Sequence, residues 1–196
     1  TTGNDLLKAG VAVVPAITTD FDGDSRNQGL PAIGADEYKM ANIWSGNTST
    51  DWNTTSNWDN IIVPATGASV SVPFGVPNMP FLDANRTVNN LTFLRSGTPF
   101  YVNINGHTLT INGAITGTGT LTGSTTSNLT LGGAAGTLNF TQTSAATRSL
   151  NDLNMGGSSS ATLGNDLDVY GAINFTSGGN LNLNAQHLTL KSNFTN

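Results

Sequence analysis

The sequence contains no cysteine, which removes disulfide scaffolds, thiolate metal sites and cysteine nucleophiles. Charge is nearly as scarce: 10% of the 196 residues are Asp, Glu, Lys or Arg, against about 25% in an average soluble domain. Seven Lys plus Arg against twelve Asp plus Glu leave a net charge of −5. That excludes a nucleic-acid-binding surface, which needs a basic stripe to neutralise phosphates. Histidine is limited to His107 and His187, and no adjacent Ser–Asp constellation marks a catalytic triad. Long apolar runs are missing too. The longest, Ala9 to Ile17, is about half a membrane span and is interrupted by Pro15, so membrane insertion is not expected. No segment shows sustained helical periodicity with caps.

What fills the chain instead is 29 Thr, 25 Asn, 23 Gly and 16 Ser, so 93 of 196 positions are small and polar. Such a composition resembles disorder, but 37% of residues are apolar and they are spaced at regular intervals. Three zones follow. Residues 1–39 hold six of the twelve acids, residues 40–83 hold all three tryptophans, and residues 84–196 are a succession of short alternating runs. From Ser96 to Thr147 the chain passes without a single Asp, Glu, Lys or Arg.

In the third zone Leu91 and Phe93, Val102 and Ile104, Leu109 and Ile111, Leu129 and Leu131, and Leu167 and Val169 alternate with Thr, Asn or other polar residues. A period of two buries one face of a strand and wets the other. Threonine is β-branched and suits the outer face, while Gly and Asn suit left-handed turns. The expected class is all-β. The tetrads at Asn90–Phe93, Thr108–Ile111, Asn128–Leu131 and His187–Leu190 share the form x-Leu-Thr-apolar. The leucines of the first three, Leu91, Leu109 and Leu129, recur at a spacing close to one coil of a β-solenoid. In such a fold each repeat buries its face only against its neighbours. At roughly 20–25 residues per coil, 84–196 would make about five coils, and His107 and His187 would be ladder residues. An antiparallel β-sandwich is the competing arrangement; few linkers read as two-residue hairpin turns, which favours the solenoid.

Two stretches resemble known modules. Ile17–Tyr38, ITTDFDGDSRNQGLPAIGADEY, is similar to the closing segment of right-handed parallel β-helix proteins secreted by Bacteroidetes, with Ala32 in place of that segment's first acid. Ile43–Pro64, IWSGNTSTDWNTTSNWDNIIVP, resembles a tryptophan-rich module of large surface or secreted proteins from the same bacteria, where Asn/Thr/Leu-rich repeats follow it. The resemblance implies a right-handed parallel β-helix or β-solenoid. It also implies export, by the type IX route, as part of an adhesin-like cell-surface protein, with the secretion machinery as a partner. On this reading 1–39 is the end of an upstream β-helix, 40–83 a Trp-rich cap or linker, and 84–196 solenoid repeats. A chain that opens on Thr1 and stops in mid-pattern at Asn196 is expected to be a segment of a longer protein.

Two groups of residues are candidate sites. Asp20, Asp22 and Asp24 flank Gly23 and place alternate hard oxygen ligands on one loop, which suits Ca²⁺, the only cofactor the sequence suggests. The same carboxylates would equally cap the turn and pair with Arg26. Trp44, Trp52 and Trp58 would either cap the open end of the solenoid core or offer a platform on which sugar rings stack. Asp166 and Asp168 share a strand parity and are expected on a solvated face, as are the Thr-x-Thr runs Thr108/Thr110 and Thr116–Thr122. The expected function is non-enzymatic: a stiff stalk or display scaffold at the bacterial surface, able to self-associate. A carbohydrate-binding module for surface glycans, or an accessory part of a polysaccharide-active enzyme, is the alternative.

Overall fold

Short alternating runs become short strands, and among the described residues there are sixteen, joined by turns, with a single 3-10 turn at Thr55–Asn57 and no α-helix. The computed structural model describes residues 42–94, 97, 100–176 and 178–192. The chain divides into two compact units, Thr1–Ala41 and Asn42–Asn196, and every described residue belongs to the second. The expected end of an upstream β-helix (1–39), with Asp20, Asp22 and Asp24, lies outside the described residues.

The strands are β1 (Val70–Pro73); β2 (Arg86–Val88), β3 (Leu91–Leu94) and β4 (Tyr101–Asn103); β5 (Thr108–Ile111), β6 (Ile115–Thr116) and β7 (Thr120–Thr122). There follow β8 (Asn128–Leu131), β9 (Ala134–Leu138) and β10 (Ser149–Leu150); β11 (Leu153–Met155), β12 (Ser160–Leu163) and β13 (Leu167–Val169); and β14 (Ile173–Phe175), β15 (Asn180–Asn182) and β16 (Leu188–Leu190). All paired strands run parallel, each bonded to the equivalent strand one coil away. The fold is a parallel β-solenoid of about six coils, not a sandwich. One side is the five-stranded sheet β2-β5-β8-β11-β14. A second carries β1-β3-β6 and then β9-β12-β15, and a third β4-β7 and then β10-β13-β16. The third side is continuous through the Leu121–Phe140 bridge and the Gly123 N–H bond to Thr147 O at 2.9 Å.

Register builds the core. Val88, Ile111, Leu131, Met155 and Phe175 are successive partners, one from each coil, so apolar side chains stack in columns inside the solenoid. Leu109, Leu129, Leu153 and Ile173 form a second column. Outside the same sheet runs Thr87, Thr110, Thr130, Asn154, Asn174. The first column fades at its end, where Phe175 is 53% exposed.

Two expectations change. The x-Leu-Thr-apolar tetrads do not all share a side: those at Asn90, Thr108 and His187 lie in β3, β5 and β16, on three different sides. Only the Thr108 and Asn128 tetrads are in register. Leu91 pairs one coil on with Ile115, not Leu109. His107 and His187 therefore do not form a ladder. The reason is that every side of the coil needs the same in–out alternation, so the tetrad marks a strand without marking its side.

Asparagine also does more than turn the chain. Asn42, Asn105 and Asn184 do adopt positive φ (64°, 53° and 49°). At other corners the side chain reaches along the solenoid axis and accepts a backbone N–H of the next coil. Asn85 Oδ1 accepts from Thr108 at 2.9 Å, Asn90 Oδ1 from Ala114 at 2.8 Å, and Asn128 Oδ1 from Asp152 at 3.1 Å. Asp152 continues the pattern, accepting the Ala172 N–H at 2.7 Å. Strand pairing lapses at corners, and these side chains satisfy the backbone groups left over.

Leu129 sits fully buried between Leu109 and Leu153. Leu129→Ala should cost about 2–5 kcal/mol in urea unfolding; a loss below about 1 kcal/mol would contradict the stacked-column packing.

Candidate functional site

The tryptophan segment packs against the first described coils. Ile43 bridges to Ser71 of β1, and Asp51 bridges to Phe81, which in turn bridges to Asn103 of β4. Trp44, Trp52 and Trp58 are 0%, 2% and 1% exposed and belong to the same core cluster as the coil leucines. Their rings pack on one another: Trp44 and Trp52 are stacked at 6.3 Å, and Trp58 meets each edge-on, at 5.0 and 4.8 Å. Buried indole N–H groups need acceptors. Trp58 Nε1 donates to Trp52 O at 2.8 Å and Trp44 Nε1 to Asn78 O at 2.7 Å. No ring face is open to a sugar, so the platform reading of Trp44, Trp52 and Trp58 does not fit this arrangement. A platform needs one flat face in water, whereas here each face meets another indole or the core.

Asn57, the residue before Trp58 in the stretch that resembles the tryptophan-rich module, holds this segment in place. Its side chain is fully buried and makes four hydrogen bonds. Oδ1 accepts the N–H groups of Thr48 at 2.9 Å and Ser49 at 3.0 Å, while Nδ2 donates to Ser49 Oγ at 3.1 Å and Asp51 O at 2.8 Å. That uses the full capacity of an amide. Gly46 is needed close by: at φ 59°, an added Cβ would lie 2.2 Å from Asn78 O, the acceptor of the Trp44 indole.

The carboxylates are engaged in structure. Arg86 Nη2 donates to both oxygens of Asp83, at 2.7 and 2.8 Å, and also to Asn53 Oδ1 at 3.2 Å, tying the tryptophan segment to β2. Asp168 is not on a solvated face: it is 2% exposed, and its Oδ2 lies 3.3 Å from Arg148 Nε. Asp166 precedes β13 and stays partly exposed, accepting the His187 N–H at 2.9 Å. That backbone bond is the main reason its carboxyl is held below the ordinary aspartate value; slight burial opposes it, and the His187 ring and Arg148 add to it. Among the described residues, no three of His, Asp and Glu come together to hold a metal, and no helix is long and apolar enough to cross a membrane.

A groove of about 650 Å³ lies on the third side, over the outer faces of β4 and β7. Its floor includes Tyr101, Asn103, Thr120 and Thr122, and the Thr141–Thr147 loop forms one wall. The Thr-x-Thr run is visible in the sequence. What the run does not show is that Thr122 is buried and bonded to Thr141 of the following coil, rather than solvated.

Two outcomes check these assignments. Asn57→Ala removes the acceptor of the part-buried Thr48 and Ser49 N–H groups and the donor to Asp51 O, and should cost about 1–3 kcal/mol of unfolding free energy. A loss within about 0.5 kcal/mol, the range of ordinary surface substitutions, would refute the role. Because the folded-state pKa of Asp166 is depressed, its contribution to stability is present above the unfolded-state pKa and is lost as pH falls through the folded-state value. In an NMR carboxyl titration Asp166 should titrate low, and His187→Ala should keep most of the depression, since the backbone N–H persists. Return to an ordinary value in that variant would place the cause in the ring instead.

Comparison with protein-family models, with curated proteins and with solved structures finds no match to this chain.

Proposed function

We propose that this chain is a non-enzymatic structural segment of a large exported bacterial surface protein, adhesin-like in organisation, in which the solenoid is a stiff spacer for display. The observation that carries the reading is the continuity of the core. The tryptophan cluster and the inward columns of the successive coils form one apolar cluster, so the coils have no internal hinge of polar packing. With neighbouring strands about 4.8 Å apart, about six coils advance the chain by about 25–30 Å. The two sequence stretches that resemble modules of secreted Bacteroidetes proteins support the export side of the proposal. The low charge supports it as well: Asn and Thr satisfy the coils from within and make few demands on solvent ions. The described carboxylates support a structural role, because Asp83, Asp152, Asp166 and Asp168 each engage an Arg or a backbone N–H.

Single-molecule pulling on the chain tests the mechanical part. A stacked spacer should yield in steps that each release about one coil, roughly 65–85 Å of extended chain. Featureless extension at low force would sink it. For the export part, an antibody against the chain should label intact source cells. Labelling only after permeabilisation would overturn surface display.

A further inference from the structure

The geometry points to the groove over β4 and β7 as a binding site for a neutral carbohydrate chain. Thr120, Thr141 and Thr122 form a row of hydroxyls along the groove, with Thr120 and Thr141 in contact at 2.8 Å and Thr122 and Thr141 at 2.7 Å. Each contact uses one proton and one acceptor site, whichever hydroxyl donates, and every hydroxyl has one proton and two acceptor sites. The row therefore offers a ligand more acceptors than donors.

Beside this acceptor row stand donors of the opposite kind. Asn103 Oδ1 accepts the Asn105 N–H at 2.8 Å, whereas its Nδ2 and the Tyr101 hydroxyl have no partner among the described residues. Tyr101 also offers an aromatic ring, braced by Phe81 at 6.3 Å. Of the described lining residues none is charged. Acceptors, donors and an aromatic ring without charge match a polyol, whose hydroxyls donate and accept and whose C–H face packs on a ring. A carboxylate, sulfate or phosphate brings only acceptors to the threonine row and finds no cation among those residues. At about 650 Å³ the groove falls within the about 300–1,000 Å³ typical of small-ligand sites. The site is distinct from the buried tryptophans and goes beyond the spacer function.

The test is an NMR titration of the full ¹⁵N-labelled chain with cellohexaose, mannohexaose and xylohexaose, and with tetragalacturonate as the charged comparator. At least one neutral sugar should shift amides of β4, β7 and the Thr141–Thr147 wall at millimolar concentration. Tyr101→Ala and Thr122→Val should each weaken that binding about tenfold, equivalent to about 1.4 kcal/mol. Tyr170→Ala, an exposed ring outside the groove, should leave it unchanged. The map of shifted amides in the unsubstituted chain reads the site even where a variant fails to fold. No shift with any neutral sugar, shifts confined elsewhere, tetragalacturonate binding as tightly, or unchanged affinity in folded Tyr101→Ala and Thr122→Val proteins would each overturn the assignment.

Discussion

A single coil contributes only a few inward apolar side chains and has no second layer of its own to bury them against. It is stable only when coils above and below hold it in register, because a slip of one residue would turn every leucine outward. The parallel inter-coil hydrogen-bond ladder is therefore the interaction on which the rest depends. It aligns Leu109, Leu129 and Leu153 in one column and Thr87, Thr110 and Thr130 in another, and the apolar column in turn keeps the ladder dry. Corner side chains extend the ladder where backbone pairing stops, and this is the physical reason for so much asparagine. An amide at a corner reaches one coil pitch and satisfies an N–H without adding charge.

Near β1 the described core passes from stacked columns into aromatic packing. Three indoles pack on one another within the same apolar cluster as the coil leucines, and two of their N–H groups are returned to backbone carbonyls. The irregular backbone around them has no ladder of its own, so Asn57 supplies from one side chain what a strand partner would supply elsewhere. Removing charge from the lateral surface has a second consequence. Where the Thr141–Thr147 wall rises beside β7, recognition falls to hydroxyls, amides and an aromatic ring.

Much of this is legible residue by residue. The alternation at Leu129/Leu131 and Leu167/Val169 announces strands, and the recurrence of Leu109 and Leu129, true partners one coil apart, announces stacked repeats. The tetrad motif misleads. Asn90–Phe93 and Thr108–Ile111 look alike because each is one strand of an identical in–out environment, yet they sit on different sides. Asp168 reads as solvated because parity places it outward. It is covered and paired with Arg148 of the preceding coil, a contact no local pattern encodes.

The sequence by itself determined the class of structure: all-β, repetitive, low in charge and free of thiol chemistry, because composition and period-two spacing act locally and are the same on every coil. Only the tertiary structure decided which strand lies over which, which asparagines turn the chain and which bridge coils, and that the tryptophans face one another. It also decided that the threonines of β7 lean on Thr141 and line a groove. These depend on coil lengths that differ from one turn of the solenoid to the next, and that variation is set by the fit of whole coils rather than by any single residue.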